Sequence, residues 1–132
     1  MNPAMGWIVL VTVLALVQFT FFGALVSMAR IQRGVPAPRM AGDEAFERLS
    51  RVHLNTLERL ALFLPLLWLA AQSWPPQWLA ALGAVYLVGR VLYWRGYVQS
   101  APGRAVGNIV TMLPIGVLLV LNLVRLVQQA IA

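Results

Sequence analysis

The sequence predicts an all-α integral membrane protein that folds as an antiparallel four-helix bundle. Of its 132 residues, 61% are hydrophobic and only 11% are charged, which is far more apolar than an ordinary soluble domain. Its apolar stretches have about the length, roughly 20 residues, that a helix needs to cross the hydrocarbon core. Short connections between the later stretches favour antiparallel neighbours. We expect residues 1–132 to form a single domain, with spans at about 5–29, 44–72, 77–98 and 104–129.

The first predicted span, residues 5–29, contains no charged residue. No basic residue precedes the apolar run, and the run is too long for the apolar region of a secretory signal. We therefore expect a transmembrane helix that is retained.

The second predicted span begins in water and runs into lipid. Residues 30–43 form a polar segment whose glycines and prolines disfavour a helix. Asp43 can cap the helix that follows, and Glu44 and Glu47 complement the helix dipole in its first turn. Pro65 lies within the apolar half, where we expect it to kink the helix rather than end it.

Tight turns border the third predicted span. Two prolines at 75–76 separate it from the second span, and a turn at 100–103 separates it from the fourth. Arg90 and Arg95 interrupt the third span, whereas residues 106–124 of the fourth carry no charge. Glycines in these two spans are expected to allow close helix packing: Gly83, Gly89, Gly107 and Gly116.

The distribution of arginine predicts the orientation in the membrane. All ten basic residues are arginines, and they concentrate around the first and third loops, while the second loop has none. Basic loops stay in the cytoplasm, so we place both termini on the opposite side. Arginine without lysine is typical of GC-rich coding sequences, so we expect a bacterial inner membrane.

The remaining composition excludes several classes of function. The net charge is +6, but the arginines that carry it do not form a solvated stripe with interleaved aromatic residues, so we predict no nucleic-acid partner. The chain has no cysteine, so any thiol chemistry must use a thiol that a substrate brings. Metal sites lose their softest ligand for the same reason, and we assign no metal ligands.

A polar stripe runs along the second predicted helix. At 100° per residue its members fall within an arc of about 80° and extend over about 16 Å. A charge at bilayer depth costs about 3 kcal/mol on insertion scales, so such residues normally face a bundle interior or a cavity. Mutual pairing is the alternative explanation, but arginines outnumber carboxylates in and around the stripe. Its members are Glu47, Arg51, Asn55 and Glu58.

The third predicted helix carries a second polar face at the same end of the membrane. Tyr86, Arg90, Tyr93 and Tyr97 fall within an arc of about 60°. Tyr86 is equally compatible with core packing, and His53, the only histidine, lies off the polar stripe and is expected to pack.

The two faces together suit an anionic ligand that also has an ammonium group. Arginine would bind carboxylates, Glu58 an ammonium, and Asn55 an amide, while tyrosines would bind the remaining polar edges. Glutathione has these groups, and it also brings the thiol that the chain lacks. We therefore expect glutathione as a co-substrate.

Two segments resemble a known family. RVHLNTLE, residues 51–58, resembles the signature of the MAPEG family, the membrane-associated proteins in eicosanoid and glutathione metabolism. VYLVGRVLYWRGYVQSAPGR, residues 85–104, resembles the third helix of that family and the turn that follows it. The spacing is most similar to the branch that contains leukotriene C4 synthase and microsomal glutathione transferase.

The resemblance implies a homotrimer of four-helix subunits with a glutathione site at each subunit boundary, near the cytoplasmic face. Arg104 would stand beside the sulfur and stabilise the thiolate. The thiolate would attack a lipophilic electrophile, or reduce a lipid hydroperoxide, that enters from membrane lipid between helices one and four of neighbouring subunits. By matching positions, the residues that bind glutathione would be Arg30, Arg51, Asn55, Glu58, Arg90, Tyr93 and Tyr97.

One position departs from the pattern, and two other functions stay open. Arg59 stands where leukotriene C4 synthases have a tyrosine, which disfavours the narrow eicosanoid assignment. A proton-coupled multidrug transporter has a similar length, but such proteins carry a membrane-embedded glutamate in the first span, and residues 5–29 have none. A non-catalytic protein of the same fold is the other alternative.

Overall fold

The computed structural model describes residues 2–132, and over that range the chain forms four long helices joined by turns, without a strand. Short 3-10 turns at Pro3–Met5 and Ala101–Arg104 lead into the first and fourth helices. The predicted all-α four-helix bundle is therefore confirmed. The long helices are α1 (Gly6–Gln32), α2 (Glu44–Ala70), α3 (Pro76–Gln99) and α4 (Ala105–Ile131).

Each helix is long enough to cross a bilayer. The segments Pro3–Gln32 and Ala101–Ile131 are also apolar enough to do so by composition alone. Helices α2 and α3 have 27 and 24 residues. They therefore extend over about 40 and 36 Å at 1.5 Å per residue, more than the roughly 30 Å of the hydrocarbon core. Large apolar side chains are exposed along the outer faces of the bundle, as expected of a surface that lies in lipid.

Helix α2 begins where the sequence predicts. The Asp43 side chain accepts a hydrogen bond from the Phe46 backbone N–H at 2.9 Å, which satisfies one of the free donors of the first turn. Pro65 in α2 and Pro114 in α4 lie within continuous helices, so neither proline ends its span.

The apolar core fills the half of the bundle that contains the second loop. Helix α3 packs most extensively against α4, and α1 against α2. The rings of Phe63 and Tyr86 stack in this core, with centroids 4.0 Å apart and planes only 3° from parallel. The polar side chains therefore collect in the other half, where the arginine-bearing loops lie. Fully buried members of the core include Ile8, Ala15, Phe63, Leu67, Leu79 and Leu118.

The junction between α3 and α4 is closely packed. A Cβ added at Gly96 would overlap the carbonyl group of Gly103, and one added at Gly107 would overlap the backbone of Tyr93. Only residues without a side chain fit at these contacts, so the turn after α3 lies directly against the helix that precedes it.

Arg48 connects the start of α2 to the end of α3. Its Nη1 donates to the carbonyl oxygens of Val98 and Gln99, both at 3.3 Å, and its Nη2 pairs with Glu44. A cation at the last carbonyls of a helix also interacts favourably with the helix dipole. The start of α2 and the end of α3, the two helices that carry the polar faces, are thus held together.

Candidate functional site

The centre of the site is the buried guanidinium group of Arg90. The side chain is 0% exposed, although it carries a charge at bilayer depth. Its Nη1 donates to Asn55 Oδ1 at 2.8 Å and to Thr56 Oγ1 at 3.4 Å. Its Nε donates to Thr111 Oγ1 at 3.1 Å. Arg90, on α3, is therefore held by neutral oxygens from α2 and α4.

Asn55 continues this network toward the surface. Its Nδ2 donates to Glu58 Oε2 at 3.3 Å, one turn further along α2. Asn55 is buried at 7% exposure, whereas Glu58 and Arg51 are exposed. The stripe therefore has a buried amide between exposed groups of opposite charge.

Ion pairing within the chain does not neutralise the stripe. Within residues 2–132 the ion pairs are those of Arg33 with Asp43, at 3.8 Å, and of Arg48 with Glu44. Neither pair includes a member of the stripe, so the predicted alternative of mutual pairing is wrong. No ion pair within the described residues neutralises the positive charge of Arg51.

The cations and tyrosines of α3 and the following turn form one row. The Cζ of Arg90 lies 4.3 Å from the centroid of the Tyr93 ring. The rings of Tyr93 and Tyr97 are 5.6 Å apart, and the Cζ of Arg104 lies 5.4 Å from the centroid of the Tyr97 ring. Guanidinium groups attract the faces of aromatic rings. The row leads from the buried centre to the exposed Arg104, which also donates to the carbonyl of Ala101 at 2.8 Å.

Arg30 lies apart from this row, at the end of α1. Its Nη1 donates to the carbonyl of Arg39 at 2.6 Å and to that of Val35 at 3.3 Å. Its Cζ lies 4.6 Å from the centroid of the Phe46 ring. In the single chain Arg30 therefore organises the first loop.

The structure thus connects most of the predicted site residues by direct contacts. Arg51 shares the α2 face but forms no ion pair within residues 2–132, and Arg30, at the end of α1, binds the first loop instead. Two further members of the network were not predicted from the sequence: Thr56 and Thr111 are both fully buried, and both accept from Arg90. The connected residues are Asn55, Glu58, Arg90, Tyr93, Tyr97 and Arg104.

Three neighbours of the site have other roles. Arg59 Nη2 donates to Asn108 Oδ1 on α4 at 3.4 Å. The His53 ring stacks on Phe19 of α1, with centroids 4.6 Å apart, so its expected packing role is confirmed. Tyr86 packs in the core, as described above.

An apolar groove follows α4 from one turn beyond Arg104. It has a volume of about 630 Å³, and Asn108 is its only strongly polar lining residue. Such a surface suits an apolar molecule that approaches from lipid. The other lining residues are Ile109, Met112, Leu113, Gly116, Val117, Val120 and Leu121.

Comparison with known proteins agrees with this architecture. A sequence model of the MAPEG family matches residues 8–124. An uncharacterized protein of the cyanobacterium Synechocystis sp. is 48% identical over 101 residues, which are 76% of this chain and 74% of that protein. Microsomal glutathione S-transferase 2 of Homo sapiens is 34% identical over 86% of this chain and 75% of its own length. Leukotriene C4 synthase of Bos taurus is 36% identical over 71% of this chain and 63% of its own length.

Proposed function

The chain belongs to the MAPEG family, and from that premise we propose that it is a membrane-bound transferase or peroxidase that uses glutathione. The names of its relatives include a glutathione S-transferase and a leukotriene C4 synthase, which supports a glutathione-dependent activity. The observation that carries the proposal is the arrangement of unneutralised cations along one row of tyrosines, beside the accessible carboxylate of Glu58.

Each group of glutathione has a suitable partner in this arrangement. Glu58 accepts from the ammonium group, and the exposed guanidinium of Arg51 binds a carboxylate. Asn55 and the hydroxyl groups of Tyr93 and Tyr97 bind polar edges of the peptide backbone. We assign Arg30 to the rim of the site, through the first loop that it organises.

Arg104 activates the sulfur. A free thiol has a pKa of about 8.5 and is mostly protonated at neutral pH. A guanidinium group beside it favours the charged form, so the thiol releases its proton to solvent and the thiolate persists. The contact of Arg104 with Tyr97 holds this cation beside the tyrosines that bind the glutathione backbone.

The thiolate then reacts with a lipophilic substrate. With an electrophilic carbon, the sulfur forms a C–S bond and the leaving group departs with the electron pair. With a lipid hydroperoxide, the sulfur attacks the terminal oxygen and forms an S–O bond as the O–O bond breaks, which leaves glutathione sulfenic acid and a lipid alkoxide that takes a proton. A second glutathione then forms the disulfide and releases water. The electrophile lies along the apolar groove of α4, which begins one turn from Arg104.

The active form is a homotrimer. In the single chain Glu58, Arg51 and Arg104 are exposed on one side, so one subunit encloses only part of the ligand. A neighbouring subunit would complete the enclosure, with the lipophilic substrate entering between α1 of one subunit and α4 of the next. The site faces the cytoplasm and both termini lie on the opposite side. The cyanobacterial relative supports a bacterial inner membrane.

Isothermal titration of the detergent-solubilised protein with glutathione tests this proposal. We expect binding at millimolar ligand or below, together with conjugation of 1-chloro-2,4-dinitrobenzene or reduction of a lipid hydroperoxide. Arg125→Gln is a matched control, because Arg125 lies at the far end of α4 and donates to Ser73 there.

Three results would contradict the proposal. Undetectable glutathione binding would remove its basis. Binding without turnover of any electrophile or hydroperoxide would favour the non-catalytic alternative. Proton-driven efflux from proteoliposomes would favour the transporter.

A further inference from the structure

The two neighbours of Asn55 determine the orientation of its amide group. A guanidinium group has only donors, so the Asn55 atom 2.8 Å from Arg90 Nη1 must be the carbonyl oxygen. An ionised carboxylate only accepts, so the atom 3.3 Å from Glu58 Oε2 must be the NH₂ group. A flipped amide would place two donors together at Arg90 and two acceptors together at Glu58.

Arg90 itself has little freedom to move. It is fully buried, and so is Thr111, whose oxygen accepts from Arg90 Nε at 3.1 Å. The Thr111 hydroxyl in turn donates to the carbonyl of Gly107 in α4 at 2.7 Å. The guanidinium group is therefore anchored on α4 as well as on α2.

Glu58 lacks comparable support. It is exposed, and within residues 2–132 its carboxylate accepts a side-chain hydrogen bond only from Asn55. That part of the chain also contains no ion pair of Glu58. The direction of the carboxylate therefore depends on Asn55, and the direction of Asn55 depends on Arg90.

We propose that Arg90 is a positioning residue, which acts through Asn55 to orient Glu58 toward the ammonium group of glutathione. This inference rests on the proposed function and assigns Arg90 an indirect role in place of direct ligand contact. The loss of Arg90 removes the buried hydrogen bond that fixes the Asn55 amide, so Asn55 no longer holds the Glu58 carboxylate in one direction.

The role predicts a specific pattern of affinities. Through Asn55 and Glu58, Arg90 affects the binding of the α-amino group of the γ-glutamyl residue. The matching probe is glutaryl-cysteinyl-glycine, the same peptide without that amino group. A direct contact between Arg90 and a carboxylate of the ligand would instead weaken the binding of both peptides equally. Such a contact is the alternative to test, because Arg90 Nη2 has no hydrogen-bond partner within residues 2–132.

The experiment titrates both peptides into the detergent-solubilised full chain and into Arg90→Met. We expect the variant to bind glutathione about tenfold more weakly, as for loss of a hydrogen bond to a charged group, and to bind the desamino peptide unchanged within about twofold. Equal weakening for both peptides, or no change for either, would overturn the inference. An unsubstituted chain that binds neither peptide would instead contradict the proposed function itself.

Two further variants complete the test. Arg59→Met is the matched control, because Arg59 donates to Asn108 and not to Asn55. It should leave the ratio of the two affinities unchanged. If Arg90→Met does not fold, the same two titrations are made with Thr111→Val. This variant removes the hydrogen bond that anchors Arg90 on α4, with little change of side-chain shape. A loss confined to glutathione supports the role, and any other pattern overturns it.

Discussion

The guanidinium carbon of Arg104 lies 5.4 Å from the centre of the Tyr97 ring. Arg104 ends the turn before α4, and Tyr97 belongs to the last turn of α3, so the contact depends on how closely the turn approaches that helix. Gly96 and Gly103 allow this approach. The position of the proposed activating cation is therefore set by backbone packing at the junction.

Gly96→Ala should impair both stability and activity. The added Cβ would overlap the carbonyl of Gly103, and a backbone clash cannot be relieved by a change of rotamer. We expect a loss of about 1–3 kcal/mol in unfolding free energy and at least an approximately tenfold fall in conjugation rate, measured by thermal shift and with 1-chloro-2,4-dinitrobenzene.

Gly116→Ala is the control for that change. No described atom lies within 4 Å of a Cβ added there, outside the glycine's own neighbours and helix backbone, and alanine favours a helix. Thermal stability should stay the same or rise slightly. Equal conjugation rates in Gly96→Ala and Gly116→Ala would show that the junction does not position Arg104.

Arg48→Met should loosen the end of the bundle where α2 begins and α3 ends. It removes the hydrogen bonds to the carbonyls of Val98 and Gln99, which are the last of α3. We expect a loss of about 1 kcal/mol in unfolding free energy, measured by thermal shift, and faster hydrogen exchange at the end of α3. Arg33→Met is the comparison, since the Arg33 side chain is more exposed than that of Arg48 and its pair with Asp43 is long, at 3.8 Å, so it should contribute less. A larger effect at Arg33 would contradict this assignment.

Glutathione affinity should fall as the salt concentration rises. Arg51 and Arg104 are exposed and form no ion pair within residues 2–132, so their attraction to an anionic peptide is screened over about 8 Å at physiological ionic strength. Titrations at increasing potassium chloride measure this effect. Arg51→Gln should weaken the dependence, and an affinity that does not respond to salt would exclude the exposed cations as ligands.

Much of the fold can be predicted from the sequence because hydropathy, proline and capping act locally. The apolar runs require helices in a membrane, and Asp43 caps α2 as its sequence position indicates. The polar faces of α2 and α3 also follow from helical periodicity alone.

The contacts between helices are less predictable, because they depend on rotation and register. Thr56 and Thr111 each donate to the carbonyl four residues earlier, as a threonine can in any helix, and nothing local indicates that both also accept from Arg90. Among the glycines, Gly83, Gly89 and Gly107 do permit close contacts, but Gly116 faces open space. Gly96 and Gly103, which were not predicted, also form a close backbone contact.

Ultraviolet absorbance of the glutathione thiolate, recorded as glutathione is added at neutral pH, tests the central claim most directly. The unsubstituted chain should generate thiolate in proportion to bound peptide. Arg104→Ala should still bind glutathione by calorimetry, but with the few per cent of thiolate expected of a free thiol. Thiolate formation undiminished in Arg104→Ala would contradict the activating role of Arg104.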